Sequence, residues 1–221
     1  IEGKHIRTFY IENGYIRGAN STHKDENLHR LMLKWLEFPG DTNRHFKNIS
    51  ETSPDGEILQ NAGRLCGLQP SVIDAVSVRY MHYVVQGALH VQKGEFDWSP
   101  NEKPREVSPV GFRGLHPVNL LLTVIRDTSP TPNFSHLIMN KEFHLAPSPD
   151  EGLLRETYRL TEPEACVLAL TGSATSLGNW MKQSKVILPY AEAFMYIMLV
   201  FRVFSAVERS ELRRSEERRV G

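Results

Sequence analysis

The sequence predicts an α+β chain, a mostly helical N-terminal region followed by a small β unit. Three observations carry that prediction. Leu28, Leu31, Met32, Trp35 and Leu36 recur at helical spacing. Ala165 to Leu170 is a short apolar run holding the β-branched Val167, and Thr171-Gly172-Ser173 then turns it into a loop, so it reads as a buried strand. Beyond Trp180, Val186-Ile187-Leu188 is a second β-prone run closed by Pro189.

In chain order, Ile1 to Asn20 alternates apolar and polar residues around Phe9, Tyr10 and Ile11, and Asn13-Gly14 supplies the two residues a tight hairpin turn favours. A helix over Leu28 to Leu36 follows, with Asp25 and Glu26 in its first turn and Pro39-Gly40 beyond its end. Trp35 lies on its apolar stripe and is expected in the core. Ser53-Pro54 suits the start of a helix carrying Ile58, Leu59, Ala62 and Leu65, which Gly67 would stop. Ser71 would cap another helix through Ile73 and Val76, with the β-branched run Tyr83-Val84-Val85 read as a strand after it. Leu89 to Trp98 reads as a hairpin around Lys93-Gly94, and Pro100 to Pro109 as a linker or exposed loop. Val118 to Ile125 is a continuous apolar run compatible with a strand or a core helix. Pro147-Ser-Pro149 marks a domain boundary near 147–152, which leaves 1–146 as an uncharacterised, mainly helical region.

The second half carries the most specific pattern. Val167-x-x-x-Thr171-Gly172-Ser173-x-x-x-Leu177-Gly178-Asn179-Trp180, followed by Lys185-Val-Ile-Leu188, resembles the early strands of starch-binding modules, carbohydrate-binding module family 20. The resemblance covers roughly residues 153–190. It implies an incomplete immunoglobulin-like β-sandwich over 153–204, with Trp180 stacking on a glucose unit of an α-glucan. Gly172, Leu177 and Gly178 would form the loop that presents the ring. Asn179, Lys182 and Gln183 would offer polar groups to the sugar hydroxyls, since stacking needs an open aromatic face and a few polar neighbours.

The departures are equally specific. A sandwich of this kind needs about 100 residues, and 41 residues follow Trp180 in a chain of 221. The family's later E-Y-K-[FY] pattern and its second Trp have no counterpart, so one ring and one Lys of the sugar site are missing. Such modules accompany several enzymes, so the alternatives are a fragment of a glucan-acting enzyme or of a glycerophosphodiester phosphodiesterase, or a truncated piece without function. A lone Trp in a small β unit also packs as core.

Composition narrows the classes. Hydrophobic residues at 40% and charged residues at 24% suit a soluble globular chain rather than a disordered one. Lys plus Arg equals Asp plus Glu at 26 each, so no global field steers nucleic acid or an anionic membrane. The most apolar segment, Phe194 to Phe204, contains Arg202 and falls short of the ~20 residues a membrane helix requires. Cys66 and Cys166 lack metal-ligand spacing and read as two buried thiols in a reducing compartment, which favours the cytoplasm. No cofactor is indicated.

Catalytic motifs are not found. The nine histidines make no H-E-x-x-H, and there is no G-x-S-x-G, Walker loop or G-x-G-x-x-G. Asp74, His82 and His90 could serve acid and base roles, although structural histidines are the commoner outcome. Gly111-Phe-Arg-Gly-Leu-His116 reads as an ordinary turn. Asn20, Asn48 and Asn133 open N-x-[ST] tripeptides, glycan acceptors in a secreted chain. The end, 205–221, shifts to Glu, Arg and Ser and has too little apolar content for a core, so it reads either as a solvated, disordered tail or as translated adaptor sequence.

Overall fold

A computed structural model describes residues 5–91, 94, 95, 97, 99, 114–127, 143–147, 157–173 and 176–208. The chain divides into two compact units, Ile1–Leu120 and Leu121–Gly221. The division falls at Leu120, upstream of the 147–152 boundary that the prolines suggested.

The first unit opens with the expected hairpin, β1 (Arg7–Glu12) and β2 (Tyr15–Ser21), paired antiparallel. Asn13 and Gly14 both take positive φ, 51° and 79°, as the two-residue turn with the strands' own twist requires. Pairing runs from Arg7 opposite Ser21 to Tyr10 opposite Gly18, then shifts to Ile11 opposite Ile16, a bulge. Ile16 and Leu115 exchange two backbone hydrogen bonds of 2.9 Å.

Lys24–Glu26 form a 3-10 turn, so the two acids expected in the first helical turn lie just ahead of α1 (Leu28–Trp35). Asn27 caps α1 by accepting the Arg30 N–H at 3.0 Å. α2 (Gly40–Lys47) follows, and α3 (Asp55–Cys66) ends where Gly67 turns left-handed at φ 65°. α4 (Pro70–Leu89) is one helix of 20 residues, without the strand expected at Tyr83-Val84-Val85. The physical reason is its pattern: Ile73, Val76, Ser77, Tyr80, Met81, Val84 and Val85 are buried at steps of three and four, an apolar stripe that outweighs local β preference. Ser77 satisfies its hydroxyl on the Ile73 carbonyl at 2.9 Å. Leu28, Met32, Phe46, Ile58, Ala62 and Val84 are wholly buried and form the core of this unit. The run Val118 to Ile125 is helical, within α5 (Pro117–Asp127).

In the second unit the sandwich expectation is overturned. The described residues are mostly helical: α6 (Glu162–Ala169), a 3-10 turn Leu170–Ser173, α7 (Leu177–Ile187) and α8 (Ala191–Val200), joined by one two-stranded antiparallel sheet of β3 (Phe143–Pro147) and β4 (Phe204–Glu208). The expected strand Ala165 to Leu170 lies in α6 and the turn after it. Thr161 precedes that helix, its N–H donates to Glu164 Oε2 at 2.7 Å, and Pro163 occupies the first turn. This cap, followed by Ala165, Leu168 and Ala169, outweighs the single Val167. The expected loop at Leu177 to Trp180 is the first turn of α7, because Ser176 caps it by accepting the Asn179 N–H at 3.4 Å. Val186-Ile187-Leu188, expected as a strand, closes the same helix; Val186 is 88% exposed while Leu188 is buried.

α8 ends in a left-handed residue that is not glycine. Arg202 takes φ 56°, its N–H reaches the Leu199 carbonyl at 3.0 Å, and the Val203 N–H reaches the Met198 carbonyl at 2.8 Å. These are the two bonds of a Schellman ending, with Val203 and Met198 both buried alongside. Ser205 to Glu208, expected as the start of the tail, pair with Phe143 to Ala146 in the sheet. No helix among the described residues is long and apolar enough to cross a membrane.

Candidate functional site

Trp180, the proposed sugar platform, has no exposed face. It is the fourth residue of α7; its indole N–H donates to the Val167 carbonyl at 3.2 Å, and Phe204 meets it edge-on at 6.5 Å between centroids. A ring with neither a free face nor a free N–H cannot stack on a glucose unit while this packing holds. Leu177 is buried beside it, Asn179 and Lys182 are exposed, and Gly178 sits in the first turn of α7. Gly172 lies in the preceding 3-10 turn. The residues expected to present an aromatic loop thus build a helix that points its Trp inward.

The acid and base candidates fare similarly. Asp74 and His82 are half-buried along α4 and His90 is exposed at its end. His116 packs edge-on against Tyr15 at 5.9 Å, and burial lowers its pKa. Residues 111–113 of the Gly-Phe-Arg-Gly segment lie outside the described residues, as do Asn133, Phe96 and Trp98 of the expected second hairpin. Cys66 is half-buried and Cys166 exposed, so only the first resembles the buried thiol expected of both. No group of three His, Cys, Asp or Glu among the described residues could hold a metal ion.

Two buried ion pairs organise the units. In the first, Glu26 accepts Arg7 Nε at 2.8 Å, Arg7 NH2 at 2.6 Å and the Ser21 hydroxyl at 2.5 Å. Burial alone would raise the Glu26 pKa, but these donors hold it below the usual carboxylate range. Tyr80 lies close by, and burial together with the Asp55 and Glu26 charges pushes its phenol far up, so it stays neutral. In the second unit, Glu164 is wholly buried and accepts four donors: Arg126 Nε at 2.9 Å, Arg126 NH2 at 2.6 Å, Thr161 N–H at 2.7 Å and Tyr190 O–H at 3.0 Å. Every lone pair is in use, which marks it as a packing device.

One cluster is built differently. Trp35 is the last residue of α1, and Arg79 and Tyr83 stand four apart on α4, hence on one face of that helix. The Arg79 guanidinium sits over the Trp35 ring at 4.5 Å from its centroid, and Tyr83 meets the ring edge-on at 6.1 Å. Trp35 is half-buried rather than fully in the core, while Arg79 and Tyr83 are exposed. Among the described residues no carboxylate pairs with Arg79, in contrast to Arg7, Arg17, Arg30 and Arg126. Ser71, Ala75, Arg79 and Tyr83 continue as an exposed row along α4 without an acidic member. Sequence reasoning missed this cluster, although the Arg-x-x-x-Tyr spacing was legible once α4 is read as one helix. Comparison with protein-family models, with curated proteins and with solved structures finds no match to this chain.

Proposed function

We propose that this chain is a binding module whose first unit recognises an acidic, apolar-anchored segment of a partner protein through Trp35, Arg79 and Tyr83. The observation that carries this reading is the exposed guanidinium held over a half-buried Trp with no carboxylate partner among the described residues. Trp, Tyr and Arg are the side chains that dominate protein interfaces, because they pair large apolar area with few rotamers or a planar donor fork. Cation–π stacking holds the guanidinium in place, so less side-chain entropy is lost when a carboxylate arrives. A partner carboxylate would take the outward N–H groups while an apolar side chain covers Tyr83.

The test is a titration of the full chain with a synthetic peptide of alternating Glu and Leu around one Phe, followed by tryptophan fluorescence. Saturable binding that Arg79→Glu weakens by about 30-fold or more, the effect of a hot-spot loss near 2 kcal/mol, supports the reading. No binding, or binding indifferent to Arg79→Glu, overturns it. The α-glucan function implied by the Leu177-Gly178-Asn179-Trp180 motif is probed in parallel with maltoheptaose. A response weakened by Asn179→Ala or Lys182→Ala, both exposed positions, would transfer the function to the second unit.

A further inference from the structure

We propose that the partner segment binds as an added β-strand on the outer edge of β1 and runs on along α4 to Tyr83 and Arg79, an inference that rests on reading the Trp35, Arg79 and Tyr83 cluster as a binding site. A two-stranded sheet has two edges, and here they differ. On the β2 side, Ile16 exchanges two backbone bonds with Leu115, and Ile16 and Ala19 are buried. On the β1 side, the Thr22 N–H donates to the Ile6 carbonyl at 2.9 Å, so Ile6 turns its carbonyl toward β2. An antiparallel ladder engages alternate residues, so Thr8 and Tyr10 also face β2, and Arg7, Phe9 and Ile11 direct their N–H and C=O groups outward. Among the described residues no backbone group reaches that outer row.

Proteins usually blunt such an edge with prolines, outlying charges or a covering element. β1 contains no proline, and its two charged side chains are occupied, Arg7 by Glu26 and Glu12 by Arg17. Side-chain exposure shows the same gap. Ile11 and Ile16 stand opposite one another on one face, yet Ile16 is 8% exposed and Ile11 48%. Phe9, on that face beside Ile11, is half-buried. A third strand would lay alternate side chains over Phe9 and Ile11 while its backbone pairs with the outward row.

Arg7 ties this edge to the cluster. Its NH2 lies 3.0 Å from the place a Cβ on Gly87 would take, and Gly87 continues the α4 row of Arg79 and Tyr83 by one turn. Arg79 is therefore about two helical turns, roughly 11 Å, from the point where Arg7 meets α4. An extended segment of about nine residues is long enough to pair with Arg7 to Ile11 and still carry a carboxylate to the Arg79 guanidinium. That charge has no acidic partner among the described residues, so the segment supplies the complement. A helical partner would cover the α4 row and leave the β1 edge unpaired.

The full chain is titrated with the peptide of alternating Glu and Leu around one Phe, and with two forms of it N-methylated at the Leu positions or at the Glu positions. In an added strand only one parity donates to β1, so one methylated form should bind about tenfold more weakly and the other like the parent. Amide exchange at Phe9 and Ile11, followed by nuclear magnetic resonance, should slow on saturation with the parent peptide. Binding that Arg79→Glu weakens, but that treats the two methylated forms alike and leaves Phe9 exchange unchanged, overturns strand addition and leaves the cluster standing. Binding that separates the two forms and protects Phe9, yet is indifferent to Arg79→Glu, supports the strand on β1 and refutes the cluster. No binding of any form overturns both.

Discussion

Replacing Glu164 with Gln preserves the size of the side chain and removes its charge, which isolates what the four-donor carboxylate contributes. In the native unit Oε1 accepts Arg126 Nε and the Tyr190 hydroxyl, and Oε2 accepts Arg126 NH2 and the Thr161 N–H. A Gln amide presents one N–H2 where an oxygen stood. Facing Thr161 it would oppose two N–H donors, so it turns toward Tyr190, whose hydroxyl can rotate and accept. Arg126 Nε is then left opposite a donor, and the surviving bonds lose charge assistance, worth about 1.5–3 kcal/mol for a bond to a charged group. Arg126 is 24% exposed and keeps some water, so the loss should fall below the ~3–5 kcal/mol of fully breaking a buried pair. About 2–4 kcal/mol is the expected destabilisation.

The pH dependence has a definite sign. Burial raises the Glu164 pKa, yet Arg126, the Thr161 N–H and Tyr190 outweigh it and hold the carboxyl below its ordinary value of 4.5. The unfolded chain therefore binds the proton first. The contribution is complete above about 4.5 and is lost as pH falls through the lower folded value. Urea unfolding is followed by Trp180 fluorescence in a Trp35→Phe, Trp98→Phe background, so that the second unit is read by itself. The gap between Glu164 and Gln should be full at pH 7 and should narrow steadily below pH 4.5. A gap under ~1 kcal/mol at pH 7, or one that acid leaves unchanged, would refute the reasoning.

Gly87→Ala should destabilise the first unit by about 1–3 kcal/mol through overpacking, against the ~1 kcal/mol gain that Gly to Ala usually brings inside a helix. A Cβ there runs into Glu26 Oε1 and stands 3.0 Å from Arg7 NH2; a melting temperature equal to or above wild type would contradict the buried pair. The thiols should separate kinetically, since Cys166 is exposed on α6 while burial raises the Cys66 pKa. Ellman's reagent at pH 8 should show a fast phase abolished by Cys166→Ser and a slow one abolished by Cys66→Ser, and equal rates would be inconsistent with this packing.

What was legible in the sequence is local. Asn13-Gly14 dictates its hairpin because those residues tolerate positive φ, Leu28 to Trp35 declare a helix by their spacing, and Gly67 stops α3 because it reaches the left-handed region freely. Two further local signals are helix starts: Thr161-x-x-Glu164 opens α6 as a capping box, and Ser176 caps α7.

Other features have no local signature. Arg7 and Glu26 are 19 residues apart and Arg126 and Glu164 are 38 apart, and nothing near any of them reveals its partner. How far Trp35 or Trp180 is covered depends on what packs over the ring: Trp35 stays half-buried beneath the Arg79 guanidinium, whereas Trp180 is wholly buried. The sequence by itself determined the Asn13-Gly14 turn, the apolar stripe of α1 and the stop of α3 at Gly67, since turn residues, glycines and apolar spacing act over a few residues. Only the tertiary structure decided which aromatic ring is core and which carries a guanidinium at the surface, because burial is a property of distant segments meeting.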